Sequence, residues 1–464
     1  MRRILPVLVA AVLAAASIPA AAGMKDVKLP AYEEYALKNG LKVFIVPTGE
    51  VPLVTMRLLV PAGSCADPAG IEGLAGMTAR LLLKGAGGMG AEKISAAIEG
   101  VGGMLEARAG RDYAIVYGDF LSRDFELGLG YLARAVMSPD FPGSEFERER
   151  STVLAEAMSV KENPYALANR EFLRLLLGPH PYGNPVDGYP ASVGGMKRGD
   201  VAAFHRARYV PQGSVLAVVG DIDSAKAKDL IEKKLGGWKG SAPAGSGVPA
   251  LETGPVKARR VVVIDKPDLT QSQIRIGNIA AGRNTPDYFE LTVANSVLGG
   301  GFTSRLMDEI RVNRGLSYGA RSVLGQYRYG GYFGIYTYTK NATLRETIDV
   351  ALEQVRLLRD ETVGDEELTG CKRYISGLFP FDIETNGDIA QWMTDLEFYG
   401  LGGDFVEKYR SRIGEISPDG VERAAGKYFG YDGNLIMVMT NYKETKGQLE
   451  GLGDMEVIPV SDIE

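Results

Sequence analysis

The sequence predicts an α+β fold of two duplicated domains, each a mainly antiparallel sheet with helices packed on one face. A chain of 464 residues is too long for one ordinary hydrophobic core. Residues 213–220 and 433–440 share one pattern, a turn followed by an apolar strand, which indicates a large repeated unit. In each half, strands come first and helices follow in groups, an order that favours an antiparallel sheet over strict alternation.

The elements of each half follow from the spacing of apolar residues, which alternate or run continuously in strands and recur every three or four positions in helices. In the first half, the predicted strands are residues 41–46 and 53–60, and the predicted helices are residues 71–83, 91–98, 120–137 and 144–162. The second half repeats this plan, with strands at residues 261–264 and 272–279 and a helix at residues 289–298.

The two halves are separated by residues 236–260, which are dense in Gly, Pro, Ser and Ala and lack hydrophobic periodicity. We interpret this segment as an interdomain linker. The predicted domains are therefore residues 23–235 and residues 261–464.

The N-terminus has the pattern of a signal peptide over residues 1–22. Arg2 and Arg3 precede an apolar run at residues 4–18, and the small residues 20–22 form a cleavage site. A transmembrane anchor is the alternative, but the run is short for a span and no stop-transfer charges follow it. No other stretch is long and apolar enough to cross a bilayer. We therefore predict a periplasmic protein, with secretion as the alternative.

Charge and cysteine usage restrict the function further. The net charge is −6 and no basic stripe is present, so nucleic-acid binding is not expected. The mature chain contains two cysteines, Cys65 and Cys371. An oxidising compartment permits a disulfide between them, but two cysteines define no framework, and two free, partly buried thiols are the interpretation we favour.

The predicted helix at residues 71–83 has the frame of a zinc-binding His-x-x-Glu-His motif, yet the three motif positions hold Gly76, Ala79 and Arg80. In a working motif these positions share one helical face, which offers two imidazoles to zinc and a carboxylate to the attacking water. The chain has only two histidines, His180 and His205, and they are not spaced as ligands. We expect no cofactor in this chain and structural roles for both histidines.

Two further motifs lie downstream. Glu149 and Glu156 are seven residues apart on a predicted helix, so they lie on one side of it. The string at residues 298–306 leads into a second string that contains Arg311 and Tyr318. Thr303 or Ser304 can cap a helix here, Gly315 can end it, and Tyr318 is expected to begin a strand. Without further context, solvated helix charges and ordinary core packing would explain these residues.

Taken in order, these motifs resemble the pitrilysin/insulinase-type inverzincin metallopeptidases, which include the mitochondrial processing peptidase and its paired bacterial relatives. The resemblance extends over residues 27–457 and implies two domains that form a clam-like chamber. It implies that Glu156 matches the third zinc ligand and that Glu149 supports the site. It also implies that Arg311 and Tyr318 reach toward zinc held by another half, and that the neighbouring loop binds substrate through Gly299, Gly300, Gly301 and Phe302.

The leading hypothesis is a non-catalytic subunit of a heterodimeric zinc metallopeptidase, inactive alone. A homologous partner would supply the intact His-x-x-Glu-His and its zinc, and this chain would supply Arg311 and Tyr318 to peptide substrates. Arg80 is expected to pair with Glu156 in place of the metal. The alternative is a pseudoenzyme scaffold or peptide-binding protein. An independent hydrolase is disfavoured because no Gly-x-Ser-x-Gly elbow is present.

Overall fold

The computed structural model describes residues 27–49, 51–241, 247–253 and 258–464. The predicted signal peptide, residues 1–22, lies outside the described residues, and so do residues 242–246 and 254–257 of the predicted linker.

The first half extends from the first strand to the helix that precedes the predicted linker. Its strands are β1 (Glu33–Ala36), β2 (Lys42–Pro47), β3 (Leu53–Val60), β4 (Gly85–Ala86), β5 (Met89–Gly90), β6 (Met104–Ala109), β7 (Ala114–Leu121) and β8 (Val215–Gly220). Its helices are α1 (Leu74–Leu81), α2 (Ala91–Glu99), α3 (Phe125–Met137), α4 (Gly143–Ser159), α5 (Pro164–Leu177), α6 (Pro190–Gly195), α7 (Arg198–Arg208) and α8 (Ser224–Leu235).

The second half has the same kinds of elements. Its strands are β9 (Arg260–Asp265), β10 (Gln271–Ala280), β11 (Ala320–Tyr327), β12 (Gly330–Lys340), β13 (Leu435–Thr440) and β14 (Asp454–Pro459). Its helices are α9 (Tyr288–Asn295), α10 (Leu344–Asp360), α11 (Asp365–Leu378), α12 (Asn386–Tyr399), α13 (Tyr409–Glu415), α14 (Pro418–Tyr428) and α15 (Tyr442–Leu449). Two π-helical segments, Ser296–Gly300 and Met307–Asn313, follow α9.

The two large sheets have the same strand order, which confirms the duplication. The first sheet is ordered β1-β2-β8-β3-β7-β6, and the second is ordered β14-β9-β13-β10-β12-β11. In both, the repeated strand (β8 or β13) is parallel to one neighbour and antiparallel to the other. Only the outer strands differ, because β1 is antiparallel to β2 whereas β14 is parallel to β9. Most pairings are antiparallel, as predicted.

Each sheet is covered on its second face by a helix from the other half. Helix α12 of the second half packs against β3 and β8 of the first sheet, where Ile389 and Met393 meet the apolar outer face. Helix α5 of the first half packs against β10 and β13, and the Phe172 ring contacts the Tyr336 ring edge-on. Burying both sheet faces in this way joins the halves through hydrophobic contacts.

Four sequence-based boundaries need correction. The predicted helix at residues 120–137 begins only at Phe125, because Phe120 belongs to β7. Trp238 lies in the predicted linker but is buried in the core of the first half, and β9 already begins at Arg260. The helix predicted at residues 289–298 ends as an α-helix at Asn295 and continues as the π-helical segment Ser296–Gly300. Tyr318 does not begin a strand, because β11 begins two residues later.

The two cysteines both lie among the described residues and are free thiols. Cys65 is buried, and burial raises the pKa of its thiol to about 12. Within the described ranges, none of the helices combines the length and the apolar character that a bilayer span requires.

Candidate functional site

Helix α1, which carries the three motif positions, is anchored at its first turn by Asp67. The carboxylate of Asp67 accepts the backbone N–H groups of Gly73, at 2.9 Å, and Ala75, at 2.8 Å. These bonds satisfy N–H groups that have no partner within the helix. Burial raises the pKa of Asp67 to about 7, because removal from water disfavours the carboxylate more than the N–H groups stabilise it.

The first motif position, Gly76, is covered by the backbone around residues 186–188, which we call the crossing segment. A Cβ atom at Gly76 would lie 2.8 Å from the carbonyl oxygen of Val186. Real Cβ atoms do not come so close to a backbone oxygen, so any larger side chain here requires the crossing segment to move. A histidine at this position therefore has no room.

The other motif positions have become part of a network of ion pairs. The ion pair expected between Arg80 and Glu156 is present, with 2.8 Å between Nη2 and Oε2. Arg80 Nη2 also lies 3.6 Å from Asp187 of the crossing segment. Lys84, three residues past the end of α1, pairs with Glu149 at 3.1 Å. Both carboxylates that the resemblance assigns to a zinc site are thus paired with cations of this chain.

This set of side chains does not fit a zinc ion. Zinc in proteins takes thiolate, imidazole and carboxylate ligands. The motif positions supply hydrogen, methyl and guanidinium, and Glu156 is bound to Arg80. In the part of the chain that the structure describes, no group of three His, Cys, Asp or Glu side chains could hold a metal ion. His180 and His205 are buried and bond to carbonyl oxygens, which fits the structural roles predicted for them.

A cleft of about 710 Å³ lies in front of the α1 face that carries Ala79 and Arg80, which the resemblance predicts to be a former zinc face. Its walls are α1, α2 and the edge strand β6, from Met104 to Ala107. Strand β6 pairs only with β7, so its outer backbone groups face the cleft. Glu106 on this strand accepts a hydrogen bond from the Tyr117 hydroxyl, which raises the pKa of Tyr117.

Arg311 and Tyr318 lie together on the surface of the second half. The Arg311 guanidinium is stacked between two rings, with its carbon 4.7 Å from the Phe302 centroid and 4.4 Å from the Tyr318 centroid. Phe302 is 69% exposed and Tyr318 is 76% exposed. Gly315, with φ of 62°, turns the chain between the two residues, and Leu316 N–H closes the turn on the Ile310 carbonyl at 2.8 Å.

The glycine loop before this stack, residues 299–302, is buried at its first residue and more exposed at the other three. Gly299 is buried, and a Cβ there would lie 2.4 Å from the Ser322 nitrogen of β11, so the residue permits close backbone packing. Gly300 is exposed, Gly301 is half-buried, and Phe302 projects into solvent. Among the described residues, no hydrogen bond, ion pair or ring contact links this loop to the former zinc face. The substrate-binding role of these four residues stays a prediction.

Comparison of the sequence with known protein families agrees with the two-half fold described above. Residues 43–186 match the insulinase (peptidase family M16) domain, and residues 195–375 match the peptidase M16 inactive domain. The chain belongs to the M16 peptidase family. It is 29% identical to an uncharacterized zinc protease of Mycobacterium leprae over 364 residues, which is 78% of this chain and 80% of the relative. It is 30% identical to one of Mycobacterium bovis over 302 residues, which is 65% of this chain and 68% of the relative.

Solved structures give the same result for this M16 chain. A peptidase M16 inactive domain from Pseudomonas fluorescens superposes with a TM-score of 0.82 and 27% identity, covering 88% of this chain and 98% of that one. A protease from Helicobacter pylori superposes with a TM-score of 0.81 at 21% identity, covering 89% and 100%, which shows the fold alone. The protein is thus an M16 member of the inactive type with relatives named zinc proteases.

Sequence reasoning missed two contributors to the site, Asp187 and Lys84, which pair with Arg80 and Glu149. It named Phe302 as a substrate-binding residue but did not predict that its ring stacks on Arg311. Lys84 had only a weak local signal, because it is a cation close in sequence to Arg80 but lies beyond the end of α1. Asp187 had none, because it is more than 100 residues away in sequence.

Proposed function

We propose that this chain is the non-catalytic subunit of a heterodimeric M16 zinc metallopeptidase. It supplies Arg311 and Tyr318 to peptide held at the zinc of a homologous partner with an intact His-x-x-Glu-His. The observation that carries the proposal is the contrast between the two halves. The former zinc face is closed by ion pairs, whereas Tyr318 is exposed and Arg311 is half-buried, and neither side chain donates a hydrogen bond to another described residue.

The chemistry of the pair suits amide hydrolysis. A guanidinium donates to a peptide carbonyl in a fixed, planar geometry, and a phenol donates to the oxyanion of a tetrahedral intermediate. Stacking of Arg311 between Phe302 and Tyr318 restricts its rotamers before substrate arrives, which reduces the entropy lost on binding. The exposed Phe302 and the half-buried Gly301 would contact the substrate beside Arg311.

The compartment and the partner are part of the proposal. The signal-peptide pattern at residues 1–22 supports export to the periplasm. A partner subunit is supported by the match of residues 195–375 to the inactive M16 domain, because a family member without a zinc site requires one from elsewhere to cleave peptides.

The test is reconstitution with the M16 homologue of the same organism that has an intact zinc motif. We expect no cleavage of a fluorogenic peptide by this chain alone and cleavage by the mixture. Arg311→Ala should lower kcat/KM by about 10²-fold or more, the loss typical of removing one oxyanion-type donor. Arg314→Ala is the matched control, because Arg314 lies one helical turn away and pairs with Glu309 and Glu346.

Assembly must be measured alongside activity, for example by size-exclusion chromatography. An Arg311→Ala complex that assembles and cleaves at the rate of the unmodified pair would refute the catalytic contribution. That result would support the alternative of a scaffold or peptide-binding protein.

A further inference from the structure

A second cavity, of about 330 Å³, lies where the two halves meet. We call it the junction pocket. Its walls come from the end of β6, the β6–β7 turn and β3 in the first half, and from Tyr327 and helix α12 in the second half. Three arginines line it, namely Arg57, Arg108 and Arg111.

None of these three guanidinium groups forms a close ion pair with a described residue. No described carboxylate oxygen lies within 4.0 Å of any of them, although Asp112 also lines the pocket and Asp395 interacts with Arg57 from further away. Arg57 is only 6% exposed and donates its Nε to the Thr394 hydroxyl at 3.1 Å. Arg111 donates its Nε to the Tyr182 carbonyl at 3.0 Å. The Nη groups of both residues are not used by these bonds.

The acidic groups near the pocket are already engaged. Asp112 accepts from the Tyr182 hydroxyl, from the Tyr399 hydroxyl at 2.9 Å and from the Arg328 N–H at 3.0 Å. Asp395 accepts from the Tyr113 hydroxyl at 3.2 Å and offsets part of the Arg57 charge. Burial raises the pKa of both carboxyls, because removal from water disfavours the charged form. Even with both carboxyls ionised, three guanidinium groups against two carboxylates leave the pocket with an excess of positive charge.

Positive charges brought together in a partly buried space repel each other and are stabilised by a bound anion. Arginine binds carboxylate and phosphate with paired, parallel hydrogen bonds. A volume of about 330 Å³ exceeds that of several water molecules of about 30 Å³ each and accommodates such a group. Because the whole chain has a net charge of −6, a generally basic protein surface does not explain why three arginines lie together in this pocket.

We propose that the junction pocket is an oxyanion-binding site for a carboxylate or phosphate group. Two sources can supply this chemistry. One is free phosphate, and the other is the carboxylate of a peptide that lies along β6. Residues Met104 to Ala107 of this edge strand line the larger cleft, and Arg108 and Ala109 line the pocket. The strand spans about 20 Å at about 3.3 Å per residue, so one extended peptide reaches both. The peptide source rests on the proposed function.

The test uses the full chain without a partner subunit. Inorganic phosphate is titrated against chloride of equal ionic strength while the unfolding temperature is recorded. In parallel, fluorescence polarisation compares a labelled peptide with a free C-terminal carboxylate and the same peptide as its amide. The variants are Arg108→Gln, which is exposed, and Arg111→Gln. Arg123→Gln is the matched control, because its side chain is 79% exposed outside the pocket.

We expect saturable stabilisation by phosphate, at least tenfold weaker in Arg108→Gln and Arg111→Gln and unchanged in Arg123→Gln. A tenfold preference for the acid peptide over the amide, lost in the same variants, identifies peptide as the source. Phosphate binding without that preference identifies the free anion. Identical titrations for all four proteins, or no saturable effect of either ligand, would overturn the site. Because no partner is present, this result is independent of catalysis in trans.

Discussion

The contact between Gly76 and the Val186 carbonyl gives the sharpest stability prediction. Gly76→Ala adds one methyl group, whose carbon would lie 2.8 Å from that backbone oxygen. The crossing segment is fixed at a second point, because a Cβ at Gly188 would lie 2.1 Å from the Glu72 carbonyl oxygen. Neither atom belongs to a flexible side chain, so relief of the clash requires backbone movement.

Two opposing effects set the change in the free energy of unfolding that Gly76→Ala causes. Alanine is favoured over glycine inside a helix by about 1 kcal/mol. Forcing an extra methyl group into a packed site costs about 1–3 kcal/mol. Gly76→Ala should therefore change the free energy of unfolding by between about 0 and 2 kcal/mol in the destabilising direction. Gly370→Ala, in exposed helix α11 with no heavy atom within 4 Å of the new Cβ, should be stabilising by up to about 1 kcal/mol.

The assay is urea unfolding of both variants and the unmodified chain, followed by circular dichroism under identical conditions. We expect Gly76→Ala to unfold at lower urea than Gly370→Ala, with a gap of about 1–3 kcal/mol. If Gly76→Ala proves as stabilising as Gly370→Ala, the first ligand position is open and the argument for its closure is wrong.

Three further predictions concern other parts of the fold. With Gly76→His, Ala79→Glu and Arg80→His combined, the purified chain should still contain well under one zinc per molecule by metal analysis, because the first position has no room. For Asp67, the pKa is about 7 in the folded chain and about 3.9 in the unfolded chain, so the folded chain binds more protons between these values. The free energy of unfolding should therefore fall as pH rises from 4 to 7. In urea unfolding, Asp67→Asn should flatten this pH profile. Arg275 of β10 is fully buried, and its guanidinium donates to four acceptors: Asn169 Oδ1, Gln273 Oε1 and the carbonyls of Ile274 and Thr337. Arg275→Met removes these bonds and should lower the unfolding free energy by about 3 kcal/mol, measured calorimetrically. An unchanged transition would contradict a stabilising role for this guanidinium.

Local patterns were sufficient to predict most elements. The strand predicted at residues 53–60 is β3, because a mostly apolar run of that length, interrupted only by Thr55 and Arg57, fits a strand buried on both faces. The helix predicted from Phe120 began too early, since Phe120 and Leu121 end β7 and the polar turn Ser122–Asp124 separates that strand from α3. The pairing of Arg80 with Glu156 was also predicted, but from the family resemblance, because the two residues are far apart in sequence.

Contacts between distant segments were not predictable. Helices α5 and α12 are ordinary amphipathic helices in sequence, and no local signal indicates that each covers the sheet of the other half. The closure of Gly76 depends on a segment about 110 residues away, and the junction pocket depends on turns from both halves. Such features arise from tertiary packing, and the spacing of residues within one element gives no information about it.

The central claim is that the exposed phenol of Tyr318 acts on peptide at the zinc of a partner subunit. The most direct measurement is kcat/KM of the reconstituted pair with Tyr318→Phe, which removes one hydroxyl and leaves the ring that stacks on Arg311. We predict a loss of about 10²-fold with unchanged assembly and unchanged zinc in the partner. A Tyr318→Phe pair that cleaves peptide as fast as the unmodified pair would contradict the claim.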